Sequence, residues 1–183
     1  MTAPEPPTIW VQSDPLPNGT YVTAVHYNDD TARILDRAAG LAYAAEVVAA
    51  ATRAEHDAAV LRQLVAAGVD LQAAGHTIAD LRADRPPLND GATAPLRLTP
   101  GIAANGHGFL AVHIGGQQVG QWSPADARDH ASAALTVLAA ADLDEAYRRH
   151  LIGPLGMDEA RARDVITDLG DHVRALTTPR GAS

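Results

Sequence analysis

The sequence predicts an α+β fold in which helices dominate and a small antiparallel sheet is built on a β-hairpin at residues 109–122. Two alternating apolar runs flank Gly115 and Gly116, which is typical of a two-residue hairpin. A long alanine-rich stretch without proline repeats apolar residues at helical spacing, which predicts a long helix. The later apolar segments each follow a residue that can cap a helix.

The N-terminal residues 1–19 are expected to form an extended arm, because five of the 12 prolines lie within residues 1–17 and proline lacks a backbone N–H. Within this arm, Thr8 to Gln12 can form a short edge strand. Residues 20–27 are rich in β-branched and aromatic side chains and contain neither proline nor glycine. That composition predicts a strand.

Residues 31–67 are predicted to form one alanine-rich helix about 55 Å long at 1.5 Å per residue, or two helices that break near Arg53. Gly68 follows, where a left-handed C-cap belongs. Asp70 is expected to cap a shorter helix over residues 71–82, so that residues 20–85 hold a strand plus a long helical hairpin region. One apolar face runs along the long helix: Ile34, Ala38, Leu41, Ala45, Val48, Ala58, Leu61, Leu64 and Val65.

Residues 84–95 combine prolines with turn-forming polar residues, which predicts a linker and a domain boundary. Leu96 to Thr99 are expected to form a strand that leads towards the hairpin. A two-residue turn at Gly115 and Gly116 fixes the register of the hairpin. The predicted cross-strand pairs are Ile114 with Gln117, Val112 with Val119, and Phe109 with Trp122.

Within residues 96–176 the hairpin is predicted to precede three helices. Ser123, followed by Pro124 and by Asp126 three positions on, has the pattern of a capping box with proline at the first helical position. Asp142 repeats this capping pattern and is expected to open the second helix, which Gly153 and Pro154 end. The third helix is expected to begin near Asp158, and residues 177–183 are expected to fray.

The composition excludes several kinds of chemistry. The chain has no cysteine and no lysine, so thiolate catalysis, cysteine-ligated metals and lysine Schiff bases are excluded. Its formal net charge of −8 argues against nucleic acid as a partner. We expect no cofactor, no membrane span and a cytoplasmic location. The 38 alanines and the missing lysines are interpreted as GC-rich coding in a bacterial genome.

Histidine and aspartate at a spacing of four residues raise the question of a metal site. Asp126 with His130, and Asp168 with His172, would each lie on one face of a helix about one turn apart, which suits metal ligation. His76 with Asp80 has the same spacing. The alternative interpretation is a set of surface ion pairs. Aspartate is so common in this chain that a spacing of four residues from a histidine can also occur by chance.

These observations favour a non-enzymatic interaction or regulatory protein that self-associates or binds a protein partner. The long apolar stripe cannot be covered by short helices alone, so we expect a homodimer. One alternative is a DNA-associated regulator that uses the helical hairpin between Leu61 and Arg82. A further alternative is a metal-dependent enzyme that uses the histidine and aspartate pairs.

Overall fold

A computed structural model describes residues 8–28, 30–88 and 96–177, with side chains up to residue 173. The fold is α+β and dominated by helices, as the sequence predicts. Its described part contains four helices and two antiparallel three-stranded sheets. In chain order the elements are β1 (Ile9–Pro15), β2 (Tyr21–Tyr27), β3 (Asp30–Leu35), α1 (Arg37–Ala66), α2 (Leu71–Ala83), β4 (Leu96–Ile102), β5 (Gly108–Ile114), β6 (Gln117–Trp122), α3 (Pro124–Ile152) and α4 (Glu159–Thr177).

The first sheet has the order β1-β2-β3. Its central strand β2 agrees with the strand predicted over residues 20–27, and almost all of its side chains are buried. The edge strand β1 runs farther than the predicted Thr8–Gln12, because Pro15 still lies opposite Tyr21 in the register. Proline is tolerated there because an edge strand leaves one row of N–H groups unused.

The prediction that the long helix begins at residue 31 is wrong, because Asp30–Leu35 form β3. Leu35 lies opposite Thr23 of β2 and is buried in the main core, so strand pairing overrides the helical spacing. The helix begins only after Asp36, whose side chain accepts a hydrogen bond from the Ala39 N–H at 2.8 Å. From Arg37 to Ala66 it is one unbroken α-helix, which decides between the two alternatives at Arg53.

The second sheet has the order β4-β5-β6, and its hairpin turn is the predicted one. Gly115 and Gly116 both have positive φ, 57° and 83°. Ile114 lies opposite Gln117 as expected, but a bulge beside Val112 then shifts the register by one residue.

The two remaining predicted pairs of the hairpin are therefore wrong. Val112 lies opposite Gly120 rather than Val119, and Trp122 lies opposite Leu110 rather than Phe109. The bulge moves Trp122 to the face that packs against the core. Phe109 lies on the other face, where its ring covers Gly101 so closely that a Cβ there would meet the ring at 2.4 Å.

Within the described residues, two helices follow the hairpin rather than the predicted three. α3 continues through Asp142 to Ile152, because Leu138 and Ala141 extend one buried row of the helix. The Asp142 carboxylate accepts from Arg37 instead of capping a new helix. The helix α4 begins beside Asp158, as predicted. The Asp158 carboxylate caps it by accepting from the Arg161 N–H at 2.9 Å. Of the residues predicted to fray, 178–183 lie outside the described residues.

The helices α1 and α3 pack against each other in antiparallel directions. Arg37 at the start of α1 pairs with Asp142 near the end of α3, and Glu55 pairs with Arg128 near the start of α3. The first sheet packs mainly against α3 and the second mainly against α1. One core cluster joins residues from both sides of the predicted linker, including Val25, Val47, Val112 and Ala131. Of the linker itself, residues 89–95 lie outside the described residues.

Among the described residues, no helix combines the length and the apolar character that crossing a bilayer requires.

Candidate functional site

The outer surface of the α1–α3 pair carries one aligned row of residues on each helix. In both rows the main positions are seven residues apart, a spacing that keeps side chains on one helix face. We call this surface the α1–α3 seam. It consists of Arg37, Leu41, Val48 and Glu55 on α1 and of Arg128, Leu135 and Asp142 on α3.

Ion pairs close the seam at both ends. At one end Arg37 donates to Asp142. At the other end Arg128 donates to both carboxylate oxygens of Glu55, with an Nη1–Oε1 distance of 2.7 Å. This hydrogen bond from Arg128 holds the pKa of the Glu55 carboxyl below its ordinary value. Both pairs lie in solvent, so they orient side chains more than they stabilise the fold.

Between the two ion pairs the seam is mainly apolar and open to solvent, with the polar residues Thr52 and Ser132 exposed beside it. Leu41 is 48% exposed, Val48 41% and Leu135 44%. Ala45, which lies one helical turn from both Leu41 and Val48, is exposed as well. Burying such side chains stabilises by about 1.5–3 kcal/mol each when they are fully covered, so the seam favours contact with another apolar surface.

The inner side of the α1–α3 pair explains why the seam stays uncovered. The buried face of α1 consists mainly of small residues, with Tyr43 and Val47 as its largest apolar members. At Gly40 a Cβ would lie 3.0 Å from Leu138 Cδ1, so the two helices approach too closely for larger side chains. The predicted stripe residues Leu41 and Val48 therefore face outward rather than into the fold.

The first pair of candidate metal ligands is used within the fold. The Asp126 carboxylate accepts from the Ser123 N–H at 3.1 Å and from its hydroxyl at 2.7 Å, which completes the predicted capping box. His130 Nε2 lies 2.8 Å from the Tyr43 hydroxyl, and its ring packs 4.6 Å from the ring of Trp122.

The second candidate pair, Asp168 and His172, lies in solvent on α4. Among the described residues there is no group of three or more His, Asp or Glu side chains that could hold a metal ion. The structure thus places the two candidate pairs on different helices and gives neither a third ligand.

His130 has a lowered pKa because its imidazole is largely buried. Burial lowers its pKa from the ordinary 6.5 to about 4, since a charged imidazole is poorly solvated between Tyr43 and Trp122. Burial also raises the pKa of the Tyr43 hydroxyl. Near neutral pH the imidazole is therefore uncharged, and its Nε2 can accept the Tyr43 proton.

In the helical hairpin considered for DNA binding, Arg82 forms an ion pair within the fold. Arg82 Nε donates to the carboxylate of Asp57 at 2.7 Å, and that carboxylate is completely buried. The sequence analysis missed Asp57. Asp57 follows Ala54 by three residues on the face of α1 that the structure buries, a face that the predicted apolar stripe did not identify.

Comparison of the chain with protein-family models, curated proteins and solved structures finds no match in any of the three.

Proposed function

We propose that this chain is a non-enzymatic interaction protein whose working form is a homodimer, joined through the α1–α3 seam. The observation that carries the proposal is the exposed row of Leu41, Val48 and Leu135 between two ion pairs. On α1 this apolar row spans about two helical turns, and contiguous exposed apolar patches can mark interaction surfaces. A second copy of the same surface would bury it.

The charges of the seam favour a second copy as the partner. In a twofold arrangement with the axis parallel to the helices, α1 of one protomer lies over α3 of the other. The Arg37 of each protomer then lies near the Asp142 of its partner, and Glu55 near the partner's Arg128. Each guanidinium group then faces a carboxylate of the other protomer, so the contact brings no like charges together at either end of the seam.

The seam supplies most of the area that a stable dimer needs. From Arg37 to Glu55 α1 rises about 27 Å, and two helices side by side are about 20 Å wide. The seam thus offers about 540 Å² of the about 800 Å² per partner in an interface of ordinary size, and flanking residues of the two helices would have to supply the rest. Four helices packed in this way form an antiparallel bundle, in which apolar rows at heptad spacing belong inside.

Light scattering on the purified chain tests the proposal. We expect a mass of about 38 kDa at micromolar concentration, twice the 19.1 kDa of one chain. Leu135→Glu should reduce it to the monomer mass, because two carboxylates would lie against the apolar rows. Leu155→Glu is the matched control, since Leu155 is 60% exposed outside the seam.

Two results would reject this function. A wild-type mass near 19.1 kDa at these concentrations would leave the seam without a second copy. A dimer that survives Leu135→Glu but dissociates in Leu155→Glu would place the interface on another surface.

A further inference from the structure

A second feature, separate from the seam, is a cleft between α1, α2, the segment that follows α2, and β4. The cleft has a volume of about 380 Å³, and four of its lining residues are arginines: Arg53, Arg82, Arg85 and Arg97. These are four of only 14 basic residues in a chain with a formal net charge of −8. Their concentration around one concave surface therefore opposes the charge of the molecule as a whole.

Asp57 explains the position of two of these arginines. Its carboxylate is completely buried and accepts from Arg82 Nε at 2.7 Å and from Arg85 Nη1 at 2.6 Å. A buried carboxylate requires such charge-assisted partners. The two guanidinium groups are thus held at the cleft by a fixed anchor.

The four guanidinium groups have unused donors. Each guanidinium has five N–H donors. Asp57 accepts one from Arg82 and one from Arg85, and His56 Nδ1 accepts a second from Arg85 at 3.2 Å. Arg53 gives one hydrogen bond, to the Pro86 carbonyl at 2.9 Å. Within the part of the chain that the structure describes, no hydrogen-bond or ion-pair partner is found for the Arg97 side chain.

The charge balance of the lining favours an anion with more than one negative charge. Four arginines and one aspartate leave three positive charges in excess. Guanidinium groups bind phosphate and carboxylate oxygens through paired N–H donors, and a dianion satisfies more of the excess than a monoanion does.

Apart from Thr99, the remaining lining is apolar and indicates that the anion is organic. Leu88, Leu98, Pro87 and Pro100 contribute to the same cleft as the arginines. Small-molecule sites commonly combine such apolar walls with a few polar groups that fix the orientation of the ligand. A compact ring or short carbon chain would contact these side chains while its anionic groups reach the arginines.

We propose that this cleft is a binding site for a compact organic dianion, either a phosphate monoester or a dicarboxylate. Asp57 is a positioning residue, because it holds Arg82 and Arg85 towards the cleft without touching the ligand. Arg53 and Arg97 approach from α1 and β4 and supply the remaining charge. The site is independent of the seam, so the dimer proposal can fail without affecting it.

Isothermal titration of the full chain with phenyl phosphate, phthalate and inorganic phosphate tests this site. We expect saturable binding of phenyl phosphate or phthalate, and whichever binds more tightly identifies the anionic group. Inorganic phosphate should bind at least about tenfold more weakly, since it lacks an apolar part.

Arg97→Gln should weaken the binding of the organic dianion at least about tenfold, the order expected when one charge-assisted hydrogen-bonded partner is lost. The matched control is Arg62→Gln, because Arg62 lies on α1 outside the lining and donates to the Gly106 carbonyl. It removes the same charge and should leave the affinity within about twofold. Circular dichroism of both variants checks that they fold.

Three results would overturn the proposal. The first is no saturable binding of either organic probe up to about 10 mM, where even a millimolar site would saturate. The second is equal affinity for phenyl phosphate and inorganic phosphate, which would remove the apolar contact. The third is an equal loss of affinity in Arg97→Gln and Arg62→Gln, which would indicate a general charge effect.

Discussion

Replacing His130 with glutamine should remove a pH dependence of stability that the structure assigns to this one side chain. His130 packs against Trp122 and contacts the Tyr43 hydroxyl, and burial lowers its pKa to about 4. A glutamine at this position can still accept the Tyr43 hydrogen bond through its amide oxygen, but it does not titrate. The variant therefore separates protonation from packing.

The size of the effect follows from the difference between the two pKa values of His130. The unfolded chain has the ordinary pKa of 6.5 and the folded chain about 4, so between these values the unfolded state binds more protons. The contribution of the neutral His130 to the free energy of unfolding is then complete above about pH 6.5, and it falls as the pH decreases towards 4. Between pH 7.5 and pH 5 the loss is about 2 kcal/mol, and it approaches about 3 kcal/mol below pH 4.

Urea unfolding at pH 7.5 and pH 5, followed by circular dichroism, measures this loss. The wild-type chain should lose about 2 kcal/mol more than His130→Gln over the same pH interval, because all other groups are the same in both proteins and their contributions cancel. With a slope of about 2 kcal/mol per molar urea, the extra shift of the midpoint is about 1 M. Equal pH dependence in the two proteins would refute the assignment of a buried, neutral imidazole.

Two further substitutions test local structure by the same unfolding assay. Ser123→Ala should cost about 1 kcal/mol, because it removes the side-chain acceptor of the Asp126 N–H at the start of α3; an unchanged midpoint would contradict the cap. Gly108→Ala should cost about 1–3 kcal/mol, because its Cβ would lie 2.5 Å from the Ala54 carbonyl oxygen. Its control, Gly120→Ala, has no atom within 4 Å of the new Cβ and should be neutral or slightly stabilising.

The features that the sequence predicted correctly depend on residues close together in the chain. The Ser123 cap involves groups within three residues, and the hairpin turn needs only two glycines with positive φ. The strand at residues 20–27 was predictable from its β-branched and aromatic composition. Each of these signals is complete within a segment of a few residues, so no tertiary contact is needed to recognise it.

The features that were predicted wrongly depend on contacts between distant segments. Residues 31–35 fit a helical spacing, but pairing with β2 buries Leu35 and makes them a strand. Asp142 has the local pattern of a cap, yet Arg37 binds its carboxylate and α3 continues past it. The bulge beside Val112 brings Trp122 to the core face, which counting outward from the turn does not reveal.

The two proposed sites also differ in how far the sequence alone could predict them. Of the seam, Leu41 and Val48 were visible in the sequence as part of a periodic apolar stripe that the helices of one chain were not expected to cover. The arginine cleft was not predictable, because Arg53, Arg82 and Arg97 belong to three different elements that only the fold brings together. Asp57 at the centre of this arrangement is one acid among 22 in the sequence, and its burial marks it only in the structure.

The exposed row on α1 has a physical cause that also bears on its role. Two sheets and the helices α2 and α4 pack around α1 and α3, and the close approach at Gly40 requires small residues on the inner face. Leu41 and Val48 still leave 48% and 41% of their surface to solvent. The packing of one chain therefore does not account for this exposed apolar surface. It is accounted for if a second copy covers the seam, which is why the mass of the Leu135→Glu variant is the decisive measurement for the proposed function.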